Sequence, residues 1–142
     1  MSIWRTVRRA ETGEVVLARA KWCAGYWCHL RGLMFRRRIA EDEGLLFVFR
    51  RTSVVDATIH MFFVFFPIAA VWLDGDGRVV DAQLAKPWRP FYKPARPARY
   101  LIEAHPALLE RVRVGEVLRV HPDLGTGGGD VAPAPPSEDV IP

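Results

Sequence analysis

The chain has 142 residues, half of them hydrophobic, which is enough for one domain with its own core and too apolar for a chain that stays unfolded throughout. Its net charge of +4 is unevenly placed: residues 1–121 hold all 20 Lys and Arg, while the last 21 residues hold four acids and no base. All but three of those cations are Arg, whose planar fork suits carboxylates and phosphates, although an Arg-rich solvated surface is the simpler account.

In chain order, Ile3 to Arg9 is predicted to be a strand, Glu11-Thr12-Gly13 a turn, and Glu14 to Ala20 the hairpin partner. From Lys21 the pattern changes. Trp22, Tyr26 and Leu30 recur every four residues, with Cys23 and Trp27 beside them, as in a short amphipathic helix that Gly32 would end. After Arg36-Arg37-Arg38, the stretch Glu41 to Gly44 is a polar turn and Leu45 to Phe49 a buried strand. Arg50 to Asp56 is expected to be a loop, and Thr58 to Phe66, rich in Phe and β-branched residues, a strand broken by Pro67. Ile68 to Leu73, the turn Asp74-Gly75-Asp76-Gly77 and Arg78 to Gln83 form a second hairpin. Four prolines make 86–97 an extended loop. Ala98 to Ala104 is a strand, Pro106 to Arg111 a possible helical turn, and Val117 to Val120 a closing strand.

The expected fold is therefore mainly β. It is a compact single-domain β sandwich or barrel over residues 1–121, with one short helix in its N-terminal half and a possible second helical turn. Residues 122–142 are Pro- and Gly-rich and are expected to be a disordered tail.

No secretory signal is visible after Met1, which favours the cytoplasm. The longest uncharged apolar stretch, Ile59 to Leu73, is too short to span a bilayer, so no membrane partner is expected. Cys23 and Cys28 are expected to be buried free thiols. With no second Cys pair and no paired His spacing at His29, His105 or His121, no metal is expected.

Arg31-Gly32-Leu33-Met34-Phe35-Arg36, followed by Gly44 to Phe49, Pro67-Ile68, Val71 to Asp74, Gly77 to Val80 and Pro97 to Glu103, resembles the family called domain of unknown function 192 over roughly residues 15 to 120. The resemblance implies a single β-sandwich-like domain with a short helix before the Gly-Leu-Met-Phe-Arg segment. It implies no catalytic residues, and no cofactor is expected. The family usually has Phe-Trp-Met and then Lys-Asn-Thr before its Pro; here stand Ile59-His60-Met61 and Phe62-Phe63-Val64. It usually has Asp two residues after that Pro, and here stands Ala69.

Three functional expectations follow. The first is a non-enzymatic binding or accessory domain with a cleft near Arg36, His60, Tyr92, Tyr100 and Glu103, suited to a small anionic or carbohydrate-like ligand. The second is nucleic-acid binding through the basic and aromatic loop 86–99, by Lys86, Trp88, Arg89, Lys93, Arg96 and Arg99. The third is an enzyme using His60 as general acid or base. An uncovered apolar patch would point instead to a protein-interaction module. Met34, Phe35, Phe47, Phe49, Met61, Phe63 and Phe65 are expected to be core. The sequence leaves the oligomeric state open.

Overall fold

The structure, a computed structural model, describes residues 4–122. Its elements are β1 (Trp4–Arg9), β2 (Val15–Cys23), α1 (Tyr26–Arg31), β3 (Glu43–Ser53), β4 (Ile68–Leu73), β5 (Val79–Ala85), β6 (Ala98–Ala104), a 3-10 turn (Pro106–Glu110) and β7 (Leu118–Pro122). All seven strands form one sheet in the order β5-β4-β6-β3-β2-β1-β7. The sheet curls into a half-barrel. Its far ends are tied by Val79 N–H to Glu116 O (2.8 Å), Gly115 N–H to Val79 O (2.8 Å) and Leu118 N–H to Gly77 O (2.9 Å).

Every strand pairing is antiparallel except β2 with β3, which runs parallel from Arg19 opposite Glu43 to Cys23 opposite Phe47. A parallel pair needs a crossover longer than a hairpin turn. Residues 24–42 supply it, and they carry α1 and the Gly32-to-Arg36 segment.

The sheet is buried on both sides at its centre. Alternate side chains of β3, β4 and β6 go to opposite faces, as period-2 geometry requires. Leu46, Val48, Ala69, Val71, Leu73, Tyr100, Ile102 and Ala104 join one core with residues of β1, β2 and β7. Leu45, Phe47, Phe49, Ile68, Ala70, Trp72 and Leu101 join the other, together with Ala98 at the irregular start of the β3–β6 pairing. This second core is covered by the connection between β3 and β4 and by loop 86–97. Trp72 Nε1–H donates to Ala57 O at 2.8 Å, and Ile59 and Tyr92 exchange two backbone hydrogen bonds of 2.9 Å.

Several local expectations are corrected. β2 continues to Cys23, so Trp22 and Cys23 are strand residues and α1 is shorter than the four-residue spacing suggested. β3 continues to Ser53, into what reads as loop, because its backbone pairs with β6 again at Ala98 after an irregularity beyond Val48. Thr58 to Phe66 is not a strand: only the Ile59–Tyr92 bridge is formed, and Met61 and Val64 turn inward while Phe62, Phe63 and Phe65 face out. Phe35, Phe63 and Phe65 are exposed and not core. Cys23 and Cys28 are joined in a disulfide, with Cα atoms 5.6 Å apart, instead of being free thiols. The expected helical turn at Pro106 does form, as a 3-10 turn whose Ala107 N–H donates to His105 Nδ1 at 3.0 Å. The expected tail lies, from residue 123 on, outside the described residues.

Candidate functional site

Glu103 is the one charged or polar residue buried in the described structure. It sits on β6, opposite Leu45 of β3 and Ala70 of β4, so period-2 geometry turns it into the second core. It is only 7% exposed, and its carboxyl makes no hydrogen bond or ion pair among the described residues. A carboxylate in such surroundings loses its hydration without compensation. Burial accordingly pushes the carboxyl up from 4.5 to about 8. At neutral pH Glu103 is a neutral acid with one O–H to donate and oxygens to accept.

The carboxyl lines a cavity of about 130 Å³ together with His29, Arg31, Gly32, Phe47, Thr58 and His60. That is room for about four waters or one small ligand. His29 is set by its partners: Nε2 lies 2.8 Å from Cys23 O, so Nε2 carries the proton in the neutral ring and Nδ1 keeps its lone pair. Its ring packs 5.6 Å from both Phe47 and Phe49. The Cys23–Cys28 bond fastens the start of α1 to the end of β2 beside it. His60 has the same tautomer for another reason: Nδ1 accepts from Phe62 N–H at 3.2 Å, leaving the proton on Nε2. Thr58 Oγ1 donates to Val54 O and keeps its acceptor capacity.

Gly32 borders this arrangement. Its φ of 49° favours glycine, and a Cβ there would lie 3.5 Å from Phe47 Cζ and 4.0 Å from Glu103 Oε1. Asp56 also lines the cavity but is held by Arg51 Nε at 2.6 Å.

Of the residues expected at a cleft, His60 and Glu103 line this cavity. Tyr100 does not join them. Three positions from Glu103 on a strand, it projects to the opposite face into the first core, where its buried hydroxyl has no partner and burial pushes its pKa up. Tyr92 is buried in the cover, its hydroxyl accepting Lys86 N–H at 2.8 Å. Arg36 is exposed and lines a neighbouring depression, which shares Arg31 and Gly32 with the Glu103 cavity. The sequence alone does not mark His29, Gly32 or Thr58 as site residues. His29 carried one usable signal, its place directly after Cys28.

In loop 86–97, Lys86, Trp88, Arg89, Lys93 and Arg96 are exposed, while Arg99, on β6, is half-buried with Nε unpartnered. Trp88 packs on Phe63 and Phe65, with ring centroids 5.0 and 5.9 Å away. Among the described residues no group of three or more His, Cys, Asp or Glu is arranged to hold a metal ion. No helix among them is long and apolar enough to cross a membrane.

Comparison with known proteins gives relatives of the same kind. The chain is 36% identical over 116 residues to a UPF0127 protein of Thermococcus kodakarensis, covering 82% of this chain and 69% of that protein. It is 40% identical over 86 residues to a UPF0127 protein of Thermococcus gammatolerans, covering 61% of this chain but only 54% of that one. The fold is shared with the crystal structure of a Sinorhizobium meliloti protein described as a candidate transcription regulator (TM-score 0.71, 24% identity, 82% and 92% of the two chains). It is shared also with a protein of unknown function from Novosphingobium aromaticivorans (TM-score 0.66, 21% identity, 81% and 82%). The model of the family described as Uncharacterized ACR matches residues 7–120, and the chain belongs to that family, the domain of unknown function 192.

Proposed function

We propose that the domain is a non-enzymatic binding module that holds a small, oxygen-rich anionic ligand in the Glu103 cavity. The observation that carries this reading is a buried carboxyl with no partner of its own, lining a cavity beside two histidines of defined tautomer. Burying an unsatisfied carboxyl destabilises a fold, and such costs gather where a ligand completes the hydrogen bonds. A neutral Glu103 can donate to a carboxylate or hydroxyl oxygen without repelling it, and Arg31 at the same cavity adds positive charge.

The test is a calorimetric or NMR titration of the full chain with glycolate, lactate, glycerate and inorganic phosphate, at pH 6 and pH 9. Binding is expected at pH 6 and to weaken at pH 9, where Glu103 ionises. Glu103→Gln keeps binding and flattens its pH dependence; Glu103→Leu abolishes binding while stabilising the fold. Affinity unchanged in Glu103→Leu, or no binding by any of the four, would sink the reading.

A second reading, acid–base catalysis by His60, draws on its sharing a cavity with an acid whose pKa lies near neutrality. It requires turnover that His60→Ala removes and that binding alone does not explain. Nucleic-acid binding through Lys86, Trp88, Arg89, Lys93, Arg96 and Arg99 predicts retention of single-stranded DNA that falls steeply with salt. The Cys23–Cys28 bond favours an oxidising compartment over the cytoplasm. Counting free thiols on protein alkylated at the moment of cell lysis decides between them.

A further inference from the structure

On the outside of the cover lies a cluster of exposed aromatic rings that the cavity does not use. Phe35 stacks on Phe63 at 5.1 Å, Phe63 meets Trp88 at 5.0 Å, and Trp88 meets Phe65 at 5.9 Å. All four are between 42% and 59% exposed. Three of them, Phe35, Phe63 and Trp88, have φ between 60° and 66°. Bulky residues rarely adopt that conformation. Here the surrounding backbone holds it: Phe35 N–H donates to Phe63 O (2.9 Å), Trp88 N–H to Met61 O (2.8 Å) and Met61 N–H to Arg89 O (2.9 Å). Strained residues held by their neighbours mark functional surfaces more often than incidental ones.

The segments that carry the rings hold charge of one sign. Residues 31–40, 57–73 and 82–102 contain no acid. Arg36, Arg37, Arg38 and Lys86 are exposed, and none has an ion pair among the described residues. We propose that this surface docks an acidic, apolar, extended segment of a partner protein, whose carboxylates meet Arg36 to Arg38 and whose aliphatic side chains seat on the Phe35–Phe63–Trp88–Phe65 rings.

Three features favour a polypeptide. Aromatic residues with Arg, more than Lys, are the composition of protein-interface anchors. The rings already pack on one another, so the faces that nucleobases would stack on are partly taken. The backbone fixes the rings before any partner arrives, so little side-chain entropy is lost on docking. The proposal is independent of the Glu103 reading, because it uses none of the cavity-lining residues.

The test uses the full chain and two fluorescein-labelled peptides of about 15 residues, one repeating Glu-Leu-Pro and one repeating Gln-Leu-Pro, followed by fluorescence polarisation. Saturable binding of the Glu peptide is expected. It should weaken by about tenfold or more with the Gln peptide, with Phe63→Ser/Trp88→Ser, and with Arg36→Glu/Arg37→Glu. All these positions are exposed, and unchanged thermal melting confirms that the variants fold. Absence of saturable binding overturns the proposal. So does binding that survives both double substitutions. Retention of oligothymidylate or of phosphatidylglycerol vesicles in place of the peptide overturns it too, assigning the surface to nucleic acid or lipid.

Discussion

Gly32 leaves open the space beside the Glu103 carboxyl: a Cβ at Gly32 would come within 4.0 Å of Oε1 and 3.5 Å of Phe47 Cζ. Gly32 also ends α1 with a φ of 49° and donates its N–H to Cys28 O. Gly32→Ala therefore combines backbone strain with a smaller cavity. A loss of about 1–3 kcal/mol of stability is expected, measured by urea denaturation, together with weaker binding of whichever small anion binds the wild type. Unchanged stability would mean the turn relaxes without cost.

Glu103 makes a pH prediction with a definite sign. Below pH 4.5 the folded and unfolded chains both carry its proton. Between 4.5 and about 8 only the folded chain does, so the unfolded state binds fewer protons and stability falls as pH rises. Compared with Glu103→Gln, the wild type should lose stability with a slope of about 1.4 kcal/mol per pH unit across that window and level off above it. Paired denaturation curves from pH 5 to 9 check this; parallel curves would show that Glu103 finds a partner in solution.

How much of this was legible in the sequence depends on parity. Tyr100 and Glu103 both stand in a segment that reads as a strand, and an odd spacing on a strand already places them on opposite faces. Reading Ala98 to Ala104 as a strand is therefore enough to separate Tyr100 from Glu103. Glu103 itself reads as a candidate, but its neutral state comes from Leu45 and Ala70 on neighbouring strands, a non-local fact that no local pattern carries. Thr58 to Phe66 misleads for the opposite reason. Its Phe content matches a buried strand, yet the backbone turns at Phe63 and sends Met61 and Val64 inward in place of Phe62, Phe63 and Phe65. Trp22 misleads because its four-residue spacing to Tyr26 crosses the boundary between β2 and α1.

The disulfide ties α1, which carries His29, to β2, whose Cys23 carbonyl meets the ring. Closing a loop of only a few residues, it is expected to contribute about 2 kcal/mol. Cys23→Ser/Cys28→Ser, or reduction by dithiothreitol, should lower the melting temperature and loosen the contact of His29 Nε2 with Cys23 O. The NMR titration of His29 reports the second effect. A His29 signal that is the same in oxidised and reduced protein would show that Phe47 and Phe49 alone hold the ring.

Trp72 fastens the cover to the sheet. Its indole is fully buried on β4, and Nε1–H donates to Ala57 O at 2.8 Å, 15 residues earlier in the chain. Ala57 opens the segment that also carries Thr58 and His60 into the cavity. Trp72→Phe removes the donor and leaves the Ala57 carbonyl without it, together with a void where the second indole ring lay. The expected cost is about 1–3 kcal/mol for the orphaned carbonyl, with a further loss from the void. The distinguishing measurement is hydrogen exchange. If the indole bond is what seats the cover, amides of residues 57–64 exchange faster in the variant by more than the global destabilisation accounts for, while those of β1 and β7 follow the global change alone.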